Sequence, residues 1–167
     1  MVYNNFNTFI NVEMNDILIK GASDNTYRNG YDYYHVRMGS GFIDTIEGFA
    51  ELKESIENNV RTENGVRMII NTKVAKRTFV LTFNIHGSTK AAYLTNKSAF
   101  ETMLRSGLVS IKINDSNRPN YYHLAYTGKS VSYKHSYNGR FGTIACQFVE
   151  PNPANRTSTQ NTYVRVV

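Results

Sequence analysis

Polar and apolar residues alternate most regularly between Arg77 and Gly87. Phe79, Leu81, Phe83 and Ile85 fall on one face; Thr78, Thr82, Asn84 and His86 fall on the other, with Val80 the only apolar residue among them. A two-residue period marks a strand buried on one side. The same period recurs in Val109, Ile111 and Ile113 against Ser110, Lys112 and Asn114, then in Tyr122, Leu124 and Tyr126, and in the runs Val131–Tyr137 and Phe141–Val149. Shorter stretches at Phe9–Met14, Asp16–Lys20, Tyr31–Met38 and Val66–Ile70 read as further strands.

Two stretches switch to three- and four-residue spacing. Between Asp44 and Asn58, Ile46, Phe49, Leu52 and Ile56 predict a short helix or helical turn, with Asp44 and Glu47 placed as a capping box. Gly48 weakens that helix, and the alternative is an extended surface loop carrying a few apolar anchors. Ala99, Phe100, Met103 and Leu104 share one face of a second helix near Ser98–Arg105. Thr95 or Asn96 caps it, or Ser98 with Glu101, and Gly107 suits the left-handed position past its end.

Turn chemistry separates these elements. Asn138-Gly139 has the side chains of a two-residue type I′ turn, which needs positive φ at both positions. Beyond Glu150, Pro151-Asn152-Pro153 cannot sustain a ladder, because proline lacks the donor. The expected organisation is one domain over 1–150, with a loop or helix insertion at 39–65, and a C-terminal arm over 151–167. The expected fold class is mainly β (α+β): antiparallel sheets as a β-sandwich or barrel-like unit, flanked by one short α-helix.

Composition supports an ordinary core. Hydrophobic residues are 41% of the 167, which is enough to fill a domain interior. Charged residues are 19%, below the usual quarter. Twelve tyrosines and nine phenylalanines favour strands and interfaces. The net charge of +6 raises nucleic acid or an acidic partner surface as contacts. The cations are scattered, with Lys73, Lys76 and Arg77 the densest group. No stretch has the pattern of a signal peptide or of a membrane-spanning helix, so the chain is expected to be made in a cytosol and to act without membrane insertion.

Candidate chemistry is sparse. The single Cys146 sits in a strand-like run and reads as a small buried hydrophobe, with no activating partner. His35, His86, His123 and His135 lack metal spacing. Asp115 and Glu150 stand isolated, and Glu47, Glu51 and Glu54 read as a solvated face rather than a glycosidase pair. Gly39, Gly41 and Gly48 do not form a phosphate loop. Tyr121, Tyr122, Tyr126, Tyr133 and Tyr137 lie near Lys129, Lys134 and Arg140, where they read either as stacking platforms for bases or, in preference, as cross-strand packing. No catalytic, cofactor-binding or metal residue is expected, and enzyme activity is the least supported reading.

Three runs carry a resemblance. They are Arg77-x-Phe79-x-Leu81-x-Phe83-x-Ile85-x-Gly87, Phe100-x-x-Met103-Leu104-x-x-Gly107-x-Val109-x-Ile111, and Gly142-x-Ile144-x-Cys146-x-Phe148-x-Glu150-Pro151-Asn152-Pro153. With the order of elements around them, the segment from Arg61 to Arg156 resembles the sandwich domain shared by tail tube proteins and distal tail proteins of long-tailed phages, the distal tail type more closely. The resemblance implies a structural virion protein that assembles with itself into a ring, a hexamer in that family, and contacts neighbouring tail proteins. It implies a channel that DNA passes through without specific binding, and no cofactor. Tube and distal hub stay open. Gly39–Gly65 and Pro151–Val167 are the candidate contact segments, or else ordinary surface loops. The competing readings are a stand-alone β-sandwich carbohydrate-binding module and a basic nucleic-acid-binding protein.

Overall fold

The computed structural model describes residues 16–58 and 64–159. The strand expected at Phe9–Met14 lies outside the described residues. In chain order the elements are β1 (Ile17–Lys20), β2 (Arg28–Asn29), α1 (Gly30–Tyr34), β3 (Val36–Met38), α2 (Phe42–Ile46), β4 (Ile56–Asn58), β5 (Arg67–Ile69), β6 (Arg77–His86), α3 (Lys90–Leu104), β7 (Leu108–Ile113), β8 (Tyr121–His135) and β9 (Phe141–Glu150). The protein is a β-rich α+β fold, as its alternating runs predict.

Seven strands form one antiparallel sheet in the order β2-β1-β7-β8-β9-β6-β3, and β4 pairs with β5 in a separate ribbon. Laid flat, seven strands would hold the outer two about 29 Å apart. Yet α1 alone carries the chain from β2 at one edge to β3 at the other. A five-residue helix spans only about 7.5 Å, so the sheet must roll until its edges nearly meet. Asp16, just before β1, closes the seam by accepting the Met38 backbone N–H of β3 at 3.1 Å. The unit is therefore barrel-like rather than two stacked sheets.

The core fills this roll. On β6, Leu81, Phe83 and Ile85 are buried, as their period requires. Phe83 meets Phe42 of α2, Phe100 of α3 and Phe148 of β9 edge-on at 5.0–6.0 Å. Tyr93, Phe100, Met103 and Leu104 bury one side of α3, while Ala99 of the expected face is exposed. The helix starts earlier than its apolar residues suggest: Thr89 caps it by accepting the Ala92 N–H at 3.1 Å. Thr95, Asn96 and Ser98 lie inside it. The extra turn brings Tyr93 onto β9, where an added Cβ on Gly142 would overlap its hydroxyl. That hydroxyl is bonded to Tyr133 at 2.6 Å. Gly142→Ala should therefore lower stability by about 1–3 kcal/mol in denaturant melts. The loss should shrink in a Tyr93→Phe background, where the overlapping atom is gone; strictly additive losses would contradict this contact.

Other local expectations shift. Tyr31–Met38 is not one strand, because Asn29 caps α1 by accepting the Asp32 N–H at 3.0 Å, and His35 turns the chain with φ 58°. Asp44 does not cap a helix reaching Asn58. Gly41, at φ 70°, starts α2, which ends at Ile46. The Asn138-Gly139 hairpin is present, but not as type I′: only Gly139 has positive φ, and its N–H closes the turn onto the Ser136 carbonyl at 3.1 Å. The two runs Tyr122–Tyr126 and Val131–Tyr137 join into the one long strand β8, which ends at His135 and has irregular register around Ser130. Past Glu150 the chain stays against the domain as far as Thr157: Tyr121 N–H bonds the Arg156 carbonyl at 3.0 Å, and His123 Nε2 bonds the Thr157 carbonyl. Among the described residues no helix is long and apolar enough to cross a membrane.

Candidate assembly surfaces

The ribbon β4–β5 stands apart from the barrel. Beyond its three-residue register, Leu52 bridges Val74, and Lys53 and Ala75 donate N–H bonds to the carbonyls of Lys73 and Glu51. The result is a two-stranded arm made of residues 49–58 and 64–75; residues 59–63 lie outside the described residues. Ile56 and Ile69 are opposite each other and 63% and 68% exposed, while Met68 opposes Glu57 and is also exposed. Opposed residues share a face and neighbours alternate, so apolar groups stand on both faces. Phe49, Leu52, Val66 and Ile70 extend the exposed set. A lone two-stranded ribbon is marginal in water and has no core of its own.

A buried ionic knot holds the root of this arm. Arg77 opens β6 directly opposite Glu150, the last residue of β9. Its Nε donates to Glu150 Oε1 at 2.6 Å, and its remaining nitrogens donate to the carbonyls of Gly48 at 2.7 Å and Ile46 at 2.9 Å. The guanidinium thereby satisfies carbonyls at and just past the C-terminal end of α2, which the helix itself leaves without partners. Arg156 adds two bonds to the same carboxylate, each at 3.1 Å. Glu150 is fully buried and not isolated, as its sequence neighbours alone had implied. The sequence signal was an arginine and a glutamate bounding two otherwise alternating strands, and it becomes legible only when those strands are paired.

The other singled-out residues scatter. His35 and His86 meet edge-on at 5.5 Å, with Tyr31 stacked on His86 at 4.6 Å. Burial, with His35 and Arg37 nearby, holds the His86 imidazole below the usual histidine range. His123 is buried and binds the Thr157 carbonyl through Nε2 at 2.6 Å, so that nitrogen carries the hydrogen and Nδ1 accepts from Ser110. Burial lowers its pKa as well. His135 is exposed on the hairpin. Burial pushes the Cys146 thiol up to about 11, the state of an inert core cysteine.

Asp115 and Glu47 share Arg118 at 2.8 and 3.1 Å, and Glu51 and Glu54 are exposed on the arm. Gly39 allows close approach to Thr82. Of the tyrosines, Tyr122 is buried and Tyr126 packs on Phe148. Tyr121 packs on Tyr27, and Tyr133 is tied to Tyr93. Tyr137 is fully exposed. Packing, not a stacking platform, accounts for four of the five. Lys129, Lys134 and Arg140 are exposed. Among the described residues no group of three or more His, Cys, Asp or Glu converges as metal ligands would.

No family model matches the chain. No curated protein matches it. Among solved structures, the SPP1 Dit (gp 19.1) protein, described as a paradigm of the hub adsorption apparatus in phages infecting Gram-positive bacteria, aligns with a TM-score of 0.49 and 14% identity, over 82% of this chain and 50% of that one. The chain spans about half the length of that structure, and a likeness of this degree carries no argument about function.

Proposed function

We propose that the protein is a structural subunit of a phage tail, a distal hub or tube ring component that assembles with copies of itself around the DNA channel and joins neighbouring tail proteins in the virion. The observation that carries this is the arm of residues 49–58 and 64–75, with apolar side chains on both faces and no core of its own. Exposed apolar clusters of this size mark interaction surfaces. The three motif runs that resemble tail tube and distal tail proteins supply the context, and they lie on β6, on α3 with β7, and on β9. In a closed ring each subunit offers one surface to the neighbour ahead and a different one to the neighbour behind. The arm is the reaching surface, and a neighbouring copy is its occupant. The role is mechanical, with no substrate to transform and no cofactor.

Mass measurement by light scattering behind size exclusion, followed by negative-stain imaging, tests this. The expected species is a closed multimer of ring shape, with six copies the number the resemblance implies. A double variant, Ile56→Lys with Ile69→Glu, keeps a favourable cross-strand pair but removes apolar surface. It should run as a folded monomer with a thermal midpoint close to that of the parent subunit. A parent protein that stays monomeric at its highest soluble concentration sinks the reading. So does a variant that assembles as the parent does.

A further inference from the structure

The positive charge has a location that its scatter along the chain conceals. Residues 64–149 carry twelve Lys and Arg but only two acids, Glu101 and Asp115. Several of these cations are committed elsewhere: Arg77 to Glu150, Arg105 to Glu101, and Arg118 to Glu47 and Asp115. Lys112 is spent on the carbonyls of Ile113 and Asp115. Four others gather where β8 turns into β9, with the first half of α3 beside it: Lys90, Lys97, Lys134 and Arg140. The Lys90 stem lies against the turn, since a Cβ on Gly139 would come 3.1 Å from its Cγ. Lys97 Nζ sits 4.5 Å from the centre of the Tyr133 ring. Lys134 stands opposite Thr143 across the hairpin, and the Arg140 carbonyl accepts the Gly87 N–H at 2.9 Å, which ties the turn to the end of β6. None of the four has an ion pair among the described residues. Residues 116–149, which include all of the hairpin except its last residue, Glu150, contain no acid. This end lies about 30 Å from the arm, the length of a ten-residue strand, because β6 runs from Arg77 at the arm's root to His86 beside Phe141.

We propose that this basic hairpin end contacts the phosphate backbone of duplex DNA without reading its sequence. Three of the four cations are lysines, a residue depleted at the centre of protein interfaces and suited to phosphate as a compact point charge. The tip is a two-stranded ribbon, of a width that a major groove admits. Tyr133 is no stacking platform for bases, because its hydroxyl is bonded to Tyr93 and its ring is covered by Lys97. The inference goes beyond the ring reading and stands without it.

Fluorescence anisotropy of a labelled random-sequence duplex, titrated with the full chain over a range of salt, is the test. Each phosphate neutralised contributes about −0.9 to the slope of log K against log salt. Lys134→Gln with Arg140→Gln should flatten the slope by about 1.8 and weaken low-salt binding about tenfold or more. Lys53→Gln with Lys73→Gln, on the arm, should leave both unchanged. Absence of duplex binding at low salt overturns the proposal, as does a hairpin variant that binds like the parent. Polyglutamate bound as tightly as duplex at equal charge overturns it in favour of an acidic protein partner. Masses measured on the same samples keep the two readings apart. DNA binding by a strictly monomeric protein supports this surface and sinks the ring. A hairpin variant that loses the multimer along with DNA binding makes the hairpin an assembly contact and overturns the present inference.

Discussion

Replacing Glu150 with alanine is expected to lower the stability of the subunit by about 3–5 kcal/mol, the usual loss when one partner of a buried ion pair is removed. The carboxylate is fully buried and receives hydrogen bonds from two guanidinium groups. Without it, Arg77, itself 8% exposed, keeps its charge in the interior with only carbonyls for company. For a chain of this size about 1 kcal/mol moves the thermal midpoint by roughly 2–4 °C, so a drop on the order of 6–20 °C is expected. The effect should also spread to the arm. Arg77 holds the carbonyls of Ile46 and Gly48, where the arm leaves the barrel, so amide exchange at residues 49–53 should accelerate more than in β7. Converting the pair together, Arg77→Met with Glu150→Leu, should recover much of the stability, because an apolar pair needs no solvation, but should leave the arm's root loose. Denaturant melts of the three proteins decide the matter. A Glu150→Ala loss below about 1 kcal/mol would place the knot among ordinary surface pairs.

Phe83→Ala should cost a similar amount, about 3–5 kcal/mol, for a different reason. Phe83 is fully buried and is the ring against which three elements meet: Phe42 at 5.3 Å, Phe100 at 5.0 Å and Phe148 at 6.0 Å. Truncation removes the apolar surface and leaves a cavity that α2, α3 and β9 cannot all close over, since each is anchored elsewhere. Phe141→Ala, on the same ladder but 44% exposed, should cost far less. Phe83→Leu should fall between them. Equal losses at positions 83 and 141 in urea melts would show that the core does not centre on β6.

β6 was legible from its residues alone because a strand buried on one face must alternate, and nothing long-range is needed to see it. The same holds for β7, β9 and the hairpin between β8 and β9. Helix ends were less legible. The apolar face of α3 begins at Tyr93, but the helix begins where the Thr89 hydroxyl finds a backbone donor, and a cap carries no apolar signal. At α1, the Asn29 cap and the left-handed turn at His35 override a weak alternation. At Asp44–Asn58 the three- and four-residue spacing of Ile46, Phe49, Leu52 and Ile56 came from two unrelated causes. Ile46 faces the core, while Phe49, Leu52 and Ile56 are exposed, Leu52 and Ile56 on the arm's ladder.

Local pattern by itself determined the long strands β6, β7 and β9, that an amphipathic helix follows β6, and that the fold is β-rich, because each depends on a period shorter than the element that bears it. Only the tertiary structure decided that the sheet rolls until Asp16 meets Met38, that Arg77 and Glu150 are partners 73 residues apart, and that four scattered cations share one end of the molecule. Those facts depend on strand order and register, which bring distant residues within bonding reach and which no neighbouring residue encodes.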